Sequence, residues 1–343
     1  MALATDVGLV RAENQDRAAV LRIRRPNENG TVIAVVCDGM GGMESGAECA
    51  SKALASFLFH CMNSIEPTEL MLKNAVLEAN KTVYSDHGGR GGATLSAACL
   101  DGKGTLTGVN VGDSRIYCFT NSGLSRISAD DTLAGQFGSE NEVFSGRNEL
   151  LQHVGIGKDI EPHILPIESF EGADARLLLT SDGVHFMDEG LMASIIQHAN
   201  EPAKAAQRLT ELSKWLGGKD NATTILSSSY NQLIEFRDES RPGIVEVWDS
   251  FGELQLHIPQ YIPQFKSPKN SVAAKDSPSP ELVQSKNEKP ENESKATSNP
   301  KKRRKSRAKA SGKKDVEGDN GDVESPPKEI PQLNIKFDSS QGE

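Results

Sequence analysis

The stretch at residues 31–42, TVIAVVCDGMGG, limits what this chain can fold into more than any other. Its apolar run at 32–37 predicts a strand that is buried on both faces of a sheet. The run ends at Asp38, and glycines then allow the backbone to turn sharply and to approach a bound group closely. Helical spacing of apolar residues begins near Gly46. The stretch therefore predicts a buried strand, a carboxylate at its tip, a glycine turn and a helix, although Asp38 on its own is equally well explained as a turn residue.

A second predicted strand, residues 17–24 (RAAVLRIR), precedes the first and is joined to it by the polar loop 26–30 (PNENG), which is typical of a hairpin. Antiparallel pairing of these strands places Asp16, just before one strand, near Asp38, just after the other. Two carboxylates at one end of a sheet repel each other unless a cation lies between them. Taken alone, Asp16 is explained as a turn or capping residue.

Three further aspartates lie at the ends of predicted strands, namely Asp113, Asp182 and Asp220. Together with Asp16 and Asp38 they are hard to explain as turn residues only. Carboxylate oxygens are the ligands that hard divalent cations prefer. No cysteine or histidine falls at the spacing of a zinc site, and we interpret the histidines as core or surface residues.

Periodicity predicts the remaining elements. Helical spacing covers residues 46–60, 67–84, 188–199 and 202–216. Short apolar or alternating runs predict strands at 93–100, 104–111, 114–120, 123–128, 162–168, 175–181 and 222–229. Because only turn residues separate the strands between 93 and 128, these strands are expected to form an antiparallel meander. The polar stretch 129–150 is long for a loop, which indicates a functional or mobile segment.

The composition changes after about residue 265. Residues 266–343 carry 17 Lys and Arg against 13 Asp and Glu, which leaves 21 basic and 35 acidic residues before them. We therefore expect a globular, acidic domain at 1–230, a β-hairpin extension at 231–265 and a low-complexity, disordered tail. The basic block 301–314 (KKRRKSRAKASGKK) suggests contact with nucleic acid, a nuclear address or docking on an acidic partner, against the alternative of a solubilising segment.

The five cysteines are Cys37, Cys49, Cys61, Cys99 and Cys118, and they form no CxxC pair. Most lie in apolar stretches, where a free cysteine behaves as a small hydrophobic residue, so a reducing compartment is expected. The N-terminal residues lack the pattern of a secretory signal, and no apolar run approaches the length of a membrane span. We therefore expect a soluble, cytoplasmic protein that does not bind membranes.

Six stretches together resemble the metal-dependent serine/threonine protein phosphatases, the protein phosphatase 2C family in its bacterial form. In chain order they are TDVGLVRAENQD at 5–16, VVCDGMGGMESGAECAS at 35–51, GGATLSAA at 91–98, NVGDSRIY at 110–117, LLLTSDGV at 177–184 and KDNATTIL at 219–226. One such motif is weak evidence, whereas six in the family's order over residues 1–230 identify the chain as a member of the family.

The resemblance implies an α+β fold, a four-layer sandwich of two mostly antiparallel β-sheets flanked by α-helices. It also implies a site for two Mn²⁺ or Mg²⁺ ions at one edge of the sandwich, with a third, weaker ion. The implied metal ligands are Asp16, Asp38, the carbonyl of Gly39, Asp182, Asp220 and, for the third ion, Asp113. By this resemblance Asp38 bridges the first two ions.

The same resemblance assigns the catalytic roles to Asp38 and Arg11. Arg11 matches the arginine that binds the substrate phosphate, since a guanidinium pairs bidentately with phosphate oxygens. Without the motif, Arg11 would be explained as a surface charge. The paired ions activate a water that attacks phosphorus, so no cysteine or serine nucleophile is needed. The implied activity is hydrolysis of phosphoserine and phosphothreonine on proteins, with a kinase or its targets among the substrates.

Three features depart from the family pattern. Met40 stands where some members have a histidine that protonates the leaving group, so protonation falls to water. Gln15 stands where the family usually has a glutamate. The glutamine side chain keeps a hydrogen-bond acceptor but lacks the negative charge near the second ion. The flap, roughly 130–150, is shorter than expected and opens with DDT where relatives often have DHS. These departures leave substrate choice less defined than the reaction.

Two alternatives to plain catalysis stay open at this point. Because Gln15 removes a charge, the chain could be a catalytically weak scaffold that recognises phosphoproteins, although the intact aspartate set argues against this. Alternatively, the basic block 301–314 could bind nucleic acid while the phosphatase domain regulates that binding. The closing stretch 330–337 (IPQLNIKF) is apolar enough to dock on a partner.

Overall fold

A computed structural model of the chain describes residues 1–25, 28–40, 45–137, 149–157, 160–167 and 174–257. The strands within these ranges are β1 (Ala2–Asp6), β2 (Arg17–Arg24), β3 (Gly30–Cys37), β4 (Leu95–Leu100), β5 (Leu106–Val111), β6 (Arg115–Thr120), β7 (Gly123–Arg126), β8 (His163–Pro166), β9 (Arg176–Thr180), β10 (Ala222–Leu226), β11 (Ile244–Asp249) and β12 (Glu253–His257). The helices are α1 (Gly46–Asn63), α2 (Thr68–His87), α3 (Leu133–Phe137), α4 (Asp182–His185), α5 (Glu189–Gln197), α6 (Pro202–Trp215) and α7 (Tyr230–Asp238).

Several predicted features lie outside the described residues. They are the second half of the glycine turn (41–44), the middle of the flap (138–148) and everything after residue 257, which includes the basic block 301–314 and the stretch 330–337. The expectations for those segments stay predictions.

The strands form two antiparallel sheets that pack face to face. One sheet has the order β12-β11-β2-β3-β4-β5-β8, and the other has the order β1-β10-β9-β6-β7. Helices α1 and α2 pack on the outer face of the seven-stranded sheet, while α5 and α6 pack on the outer face of the five-stranded sheet. A further apolar cluster fills the space between the sheets. This arrangement confirms the predicted four-layer α+β sandwich.

The central hairpin of the seven-stranded sheet has the predicted pairing, with Arg17 opposite Cys37 and Arg24 opposite Gly30. All residues of β3 are buried. Its side chains alternate between the cluster under α1 and α2 and the cluster between the sheets. Because apolar layers cover both faces, the strand needs no polar residue, which explains its continuous apolar sequence. Because Arg17 lies opposite Cys37, this register also places Asp16, the residue before β2, beside Asp38, the residue after β3.

The predicted helices at 46–60 and 67–84 are confirmed as α1 and α2. One face of α1 is fully buried against the sheet and includes Phe57 and Cys61. All five cysteines are buried, as expected for small hydrophobic residues. Among the helices of the described ranges, none is both long and apolar enough to cross a membrane.

The predicted meander over residues 93–128 is wrong at the connection between β5 and β6. β4 pairs with β5 in the seven-stranded sheet, but β6 pairs with β7 and β9 in the other sheet. The chain changes sheet at Gly112, whose φ is +97° and where an added Cβ would lie 2.8 Å from Cγ2 of Thr94. A side chain at Gly112 would overlap Thr94, and the positive φ also favours glycine. Turn residues locate the break between two strands, but they do not specify which sheet the next strand joins.

The hairpin expected in residues 231–265 forms from β11 and β12 around the turn 249–252. β11 pairs with β2, so the hairpin extends the seven-stranded sheet. Sequence reasoning missed β1, which pairs with β10, and α7, which precedes the hairpin. The sequence analysis treated the stretch that begins within β1 as a motif and assigned the stretch that contains α7 to the hairpin extension, so neither element was considered.

A buried ion pair joins β11 to β2. Nε of Arg22 donates to Oε2 of Glu246 at 2.6 Å, and both side chains are more than nine-tenths buried. The Arg22 guanidinium also lies 4.4 Å from the ring centre of Phe236 in α7 and 5.2 Å from that of Trp248 in β11. Burial alone would raise the pKa of Glu246, but the hydrogen bond from Arg22 holds it below its ordinary value. The pair therefore fixes both α7 and the hairpin to the sheet.

Glu246→Ala should lower the free energy of unfolding by about 3 kcal/mol, because it leaves the Arg22 charge buried without its main partner. The matched control is Glu239→Ala. Glu239 also contacts Arg22, at 3.2 Å, but its side chain is 70% exposed. Its loss should therefore cost less than about 1 kcal/mol. Urea unfolding measures both changes. Equal destabilisation by the two substitutions would show that the buried pair does not hold the hairpin.

Candidate metal centre

Five aspartates meet at one end of the sandwich. Two belong to the central hairpin: Asp16 lies just before β2 and Asp38 just after β3. Asp113 lies between β5 and β6, Asp182 just after β9 and Asp220 just before β10. Antiparallel pairing brings the start of one strand beside the end of its neighbour. The charge of each of the other four acts on Asp38, which lies at the centre of the group. The structure therefore brings together all the carboxylates that the sequence analysis selected.

Asp16 is the most deeply buried of the five, with 4% of its surface exposed. Its Oδ2 accepts a hydrogen bond from Oγ of Ser181 at 2.8 Å, and that hydroxyl accepts one from the backbone N–H of Thr223 at 3.0 Å. Oδ1 of Asp16 is buried and has no hydrogen-bond partner among the described residues. A buried carboxylate oxygen without a partner is costly unless a cation binds it.

Asp38 is fixed through its backbone rather than its side chain. Its N–H donates to Oγ1 of Thr94 at 3.0 Å, and its carbonyl accepts from the N–H of Thr94 at 2.8 Å. The Thr94 hydroxyl in turn lies 2.6 Å from Oγ of Ser114. The carboxylate of Asp38 faces the cluster, where the charge of Asp182 acts on it.

Gly39 occupies a space that no side chain could share. A Cβ at this position would overlap the carbonyl of Gly46 and would come within 2.8 Å of the carbonyl oxygen of Gln15. Glycine therefore allows backbone carbonyls to crowd beside Asp38. Carbonyl oxygens are also ligands that hard cations accept.

Asp182 begins α4 directly after β9, and its Oδ1 is buried without a hydrogen-bond partner in the described part of the chain. Asp220 lies opposite, where Nη2 of Arg11 donates to its Oδ2 at 2.6 Å. Both members of this pair are partly exposed. The hydrogen bond with Asp220 raises the pKa of Arg11. Arg11 is thus placed at the rim of the cluster, paired with a predicted metal ligand.

Burial and crowding raise the pKa of most of these carboxyl groups. Burial, with the charges of Asp182 and Asp220, raises the pKa of Asp16 to about 6. Burial, with the charge of Asp182, raises the pKa of Asp113 to about 7. Burial and the other carboxylates also raise the pKa of Asp38 well above its ordinary value. Like charges that share a site in this way favour a proton or a cation between them.

The cluster fits a hard divalent cation in charge and in donor type. Within the described ranges, no three carboxylate, imidazole or thiol side chains are grouped closely enough to hold a metal ion as they stand. The donors that converge here are carboxylate oxygens, which Mg²⁺ and Mn²⁺ prefer, whereas structural zinc sites use cysteine and histidine. The buried, unpartnered oxygens of Asp16 and Asp182 are the observation that favours a cation here.

Sequence analysis did not assign Asn221 to the site, yet this residue holds it together. Its Nδ2 donates to two backbone carbonyls of the loop 7–15, each at 3.0 Å, and its Oδ1 accepts from the N–H of Gln15 at 2.8 Å. The buried amide therefore clamps the loop that carries Arg11 against the strand end that carries Asp220. The available signal was an asparagine next to an aspartate, a pattern that also occurs in ordinary turns.

The two ends of the flap are tied down beside Gly112. The N–H of Gly112 donates to Oδ2 of Asp131 at 2.8 Å, and Nε2 of His163 lies 2.7 Å from Oδ1 of the same residue. The carbonyl of Asp131 accepts from the N–H of Leu151 at 2.7 Å. The flap therefore begins and ends at the turn that carries Asp113.

A cleft of about 300 Å³ opens beside Asp182 and Asp220, and its other walls include Phe186, Leu216 and Lys219. The two apolar side chains are 56% and 50% exposed. An apolar wall next to a polar cluster can hold a side chain that flanks a reacting group. A larger cavity of about 550 Å³ lies at the opposite end of β3, and its lining includes none of the five aspartates.

A family model for protein phosphatase 2C matches residues 10–217, which is more than half of the chain. The chain belongs to the protein phosphatase 2C family. It is 30% identical over 242 residues to the serine/threonine protein phosphatase PstP of Mycobacterium tuberculosis, a match that covers 66% of this chain and 44% of PstP. The chain thus spans less than half the length of that relative.

Two further comparisons agree with this family. The serine/threonine phosphatase stp of Listeria welshimeri is 28% identical over 256 residues, and the match covers 69% of this chain and 98% of stp. A crystal structure of the catalytic domain of PstP in complex with two manganese ions is 27% identical, with a TM-score of 0.54, and the match covers 66% of this chain and 96% of that domain.

Asp16→Asn should stabilise the metal-free chain at neutral pH, because the raised pKa of about 6 makes the buried charge costly. The unfolded carboxyl loses its proton near pH 4 and the folded one near pH 6. The proton on Asp16 therefore stabilises the folded parent chain fully below about pH 4, and this stabilisation is lost as the pH rises through about 6. The variant should gain about 2 kcal/mol over the parent above pH 7 and nothing below pH 4.

Urea unfolding in the presence of a chelator, repeated across this pH range, measures that difference. Adding Mn²⁺ at pH 7.5 should reverse the order of stability, since the variant has lost a charged ligand. A difference that stays constant from pH 4 to pH 8 would contradict the raised pKa of Asp16.

Proposed function

We propose that the chain hydrolyses phosphoserine and phosphothreonine on proteins. The observation that carries this proposal is the convergence of five aspartates, two of them with buried and unpartnered oxygens, beside Arg11 at one end of the sandwich. Membership of the protein phosphatase 2C family supports it, and so do the relatives that are named serine/threonine phosphatases. The substrates are then phosphorylated proteins, among them a serine/threonine kinase or its targets.

In this proposal the carboxylates hold two divalent cations, Mn²⁺ or Mg²⁺. The proposed ligands are the carboxylates of Asp16, Asp38, Asp182 and Asp220 and the carbonyl of Gly39, with Asp113 as ligand of a third, weaker ion. Asp38, at the centre of the group, would help to hold both main ions. When bound, such ions lower the pKa of water and neutralise charge on the phosphoryl oxygens. The PstP complex with two manganese ions supports this choice of cofactor.

The residues around the carboxylates have tasks of their own. Ser181 donates a hydrogen bond to Oδ2 of Asp16, which leaves Oδ1 for a ligand. Arg11 supplies the planar fork that binds phosphate oxygens. Since Arg11 is paired with Asp220 in the free chain, it must exchange that carboxylate for the phosphate or contact both.

A thiol route is unfavourable at this site. Cys37 is adjacent to Asp38, but it is fully buried. Burial and then the charges of Asp16 and Asp38 raise the pKa of its thiol. Because the thiolate is the nucleophilic form, Cys37 is held in its unreactive state. This favours direct attack by water.

The alternatives from the sequence stay predictions. The side chain of Gln15 donates to Oε1 of Glu13 at 2.8 Å at the rim of the site, where the missing charge motivates the scaffold hypothesis. The crowding of five carboxylates favours catalysis over a scaffold, because a binding module has no need of their mutual repulsion. Nucleic acid or an acidic protein as a partner of the block 301–314 stays a prediction, and so does a cytoplasmic location.

Asp38→Asn should reduce manganese-dependent hydrolysis of a phosphothreonine peptide by at least about a hundredfold, because it removes the charge shared by both proposed ions. Asp188→Asn is the control, since Asp188 caps α5 away from the cluster and asparagine caps a helix as well. Thermal unfolding without metal should show that both variants are folded. Activity of the Asp38 variant within a few-fold of the parent would refute the proposed centre.

Arg11→Ala should raise KM for the phosphopeptide by about tenfold or more, because it removes a bidentate contact to phosphate. Affinity for Mn²⁺ should not fall, since the substitution frees Asp220 from its ion pair. Arg11→Lys keeps the charge and removes the fork, so it should recover only part of the loss. Calorimetric titration with Mn²⁺ gives the metal affinity, and a large loss in the alanine variant would assign Arg11 to the metal instead.

A further inference from the structure

The strand β12 forms one edge of the seven-stranded sheet, and among the described residues it pairs only with β11. Every residue of β12 is exposed, and Leu254 and Leu256 keep 56% and 40% of their surface accessible. An edge strand presents a row of backbone donors and acceptors on which another strand can pair. The exposed leucines make this edge suitable for strand addition.

The hairpin turn shows which backbone groups face outward. At the turn 249–252, the N–H of Asp249 donates to the carbonyl of Gly252 at 3.0 Å. Antiparallel ladders alternate between hydrogen-bonded and non-hydrogen-bonded pairs. The even-numbered residues of β12 are therefore bonded to β11, whereas the backbone groups of Glu253, Gln255 and His257 face away from the sheet.

We propose that β12 pairs with β12 of a second copy of this chain, antiparallel about a two-fold axis at Gln255. In this register Glu253 lies opposite His257 of the partner subunit, and Gln255 lies opposite Gln255 of the partner subunit. Each outward-facing residue then meets another outward-facing residue, so the pairing forms about six backbone hydrogen bonds. Two seven-stranded sheets become one continuous sheet.

In this register, the side chains on each face of β12 are complementary to those of β12 in the partner subunit. On one face, the carboxylate of Glu253 meets the imidazole of His257 of the partner subunit, whose N–H can donate to it. On the other face, Leu254 lies opposite Leu256 of the partner subunit, and apolar cross-strand pairs stabilise a sheet. This second face continues the side of β11 that carries Val245, which belongs to the core under α1 and α2. The apolar layer of one copy therefore extends into the other.

Other registers lose these matches. A shift by one residue sets outward-facing groups opposite inward-facing ones and moves the leucines to opposite faces. A shift by two residues keeps some hydrogen bonds but separates Glu253 from His257 of the partner subunit. The sequence ELQLH at 253–257 is thus self-complementary in a single antiparallel register.

The interface is small, because only five residues of each chain take part. Such an area lies below that of stable dimers, so the association should be weak and should depend on protein concentration. Sedimentation of the full chain over about a hundredfold range of concentration should show a reversible equilibrium between monomer and dimer. A chain that stays monomeric over the whole range overturns the proposal.

Gln255→Pro tests the backbone pairing. Proline removes the N–H that faces away from β11, and it is tolerated in edge strands for that reason. We expect the dissociation constant of the dimer to rise by at least about tenfold, since the substitution also disturbs the symmetry-related contact. Gln255→Ala is the matched control, because it keeps the N–H and should change the constant less than about threefold. Circular dichroism melting checks that both variants keep the fold. If the proline variant dimerises as tightly as the parent chain, the dimer interface lies elsewhere and the proposed pairing is wrong.

A charge exchange tests the register. Glu253→Lys alone sets a lysine against the imidazole of the partner subunit, and His257→Glu alone sets two carboxylates opposite each other. Each should weaken the dimer by about threefold or more, since the dimer contains the pair twice. The double variant restores an opposite-charge pair and should return to within about twofold of the parent. Additive losses in the double variant would show that these two residues do not face each other.

Discussion

The repulsion among carboxylates at one end of the sandwich is the constraint on which the rest of this structure depends. Burial of several like charges destabilises a folded chain unless protons, a counter-ion or metal cations offset them. The raised pKa values of Asp16 and Asp113 are the mark of that cost. The apolar clusters on both faces of the seven-stranded sheet supply the hydrophobic free energy that makes the cost tolerable. The same crowding favours a divalent cation at this end of the sandwich, because a bound cation would offset the repulsion.

The carboxylates are useful only because neutral groups hold them in place. Ser181 holds one oxygen of Asp16, Thr94 holds the backbone of Asp38, and Asn221 holds the loop that carries Arg11. Hydroxyls and amides can position an anion without neutralising it, whereas a lysine in their place would compete with the metal. Positioning of this kind keeps the charge of the cluster intact and leaves its remaining oxygens free for a ligand.

How much of this could be predicted depends on the range of the interactions involved. The apolar run of β3 and the spacing in α1 are local patterns, and both predicted the observed elements. The step from β5 to β6 was mispredicted because a turn at Gly112 does not encode which sheet follows. The helix α7 was missed because the sequence analysis assigned residues 231–265 to a hairpin, although Tyr230, Leu233 and Ile234 have helical spacing. The contribution of Asn221 was missed because its partners lie more than 200 positions away in the chain.

The sequence by itself determined that five aspartates stand at the ends of apolar strands, because that placement follows from short-range periodicity and turn residues. It also determined the family, since six motifs occur in order over the first 230 residues. Only the tertiary structure decided which oxygens are left without partners, which side chain Arg11 meets and which strand edge stays open at β12. Those outcomes depend on contacts between distant segments, whose distances and burial are fixed only when the two sheets pack together.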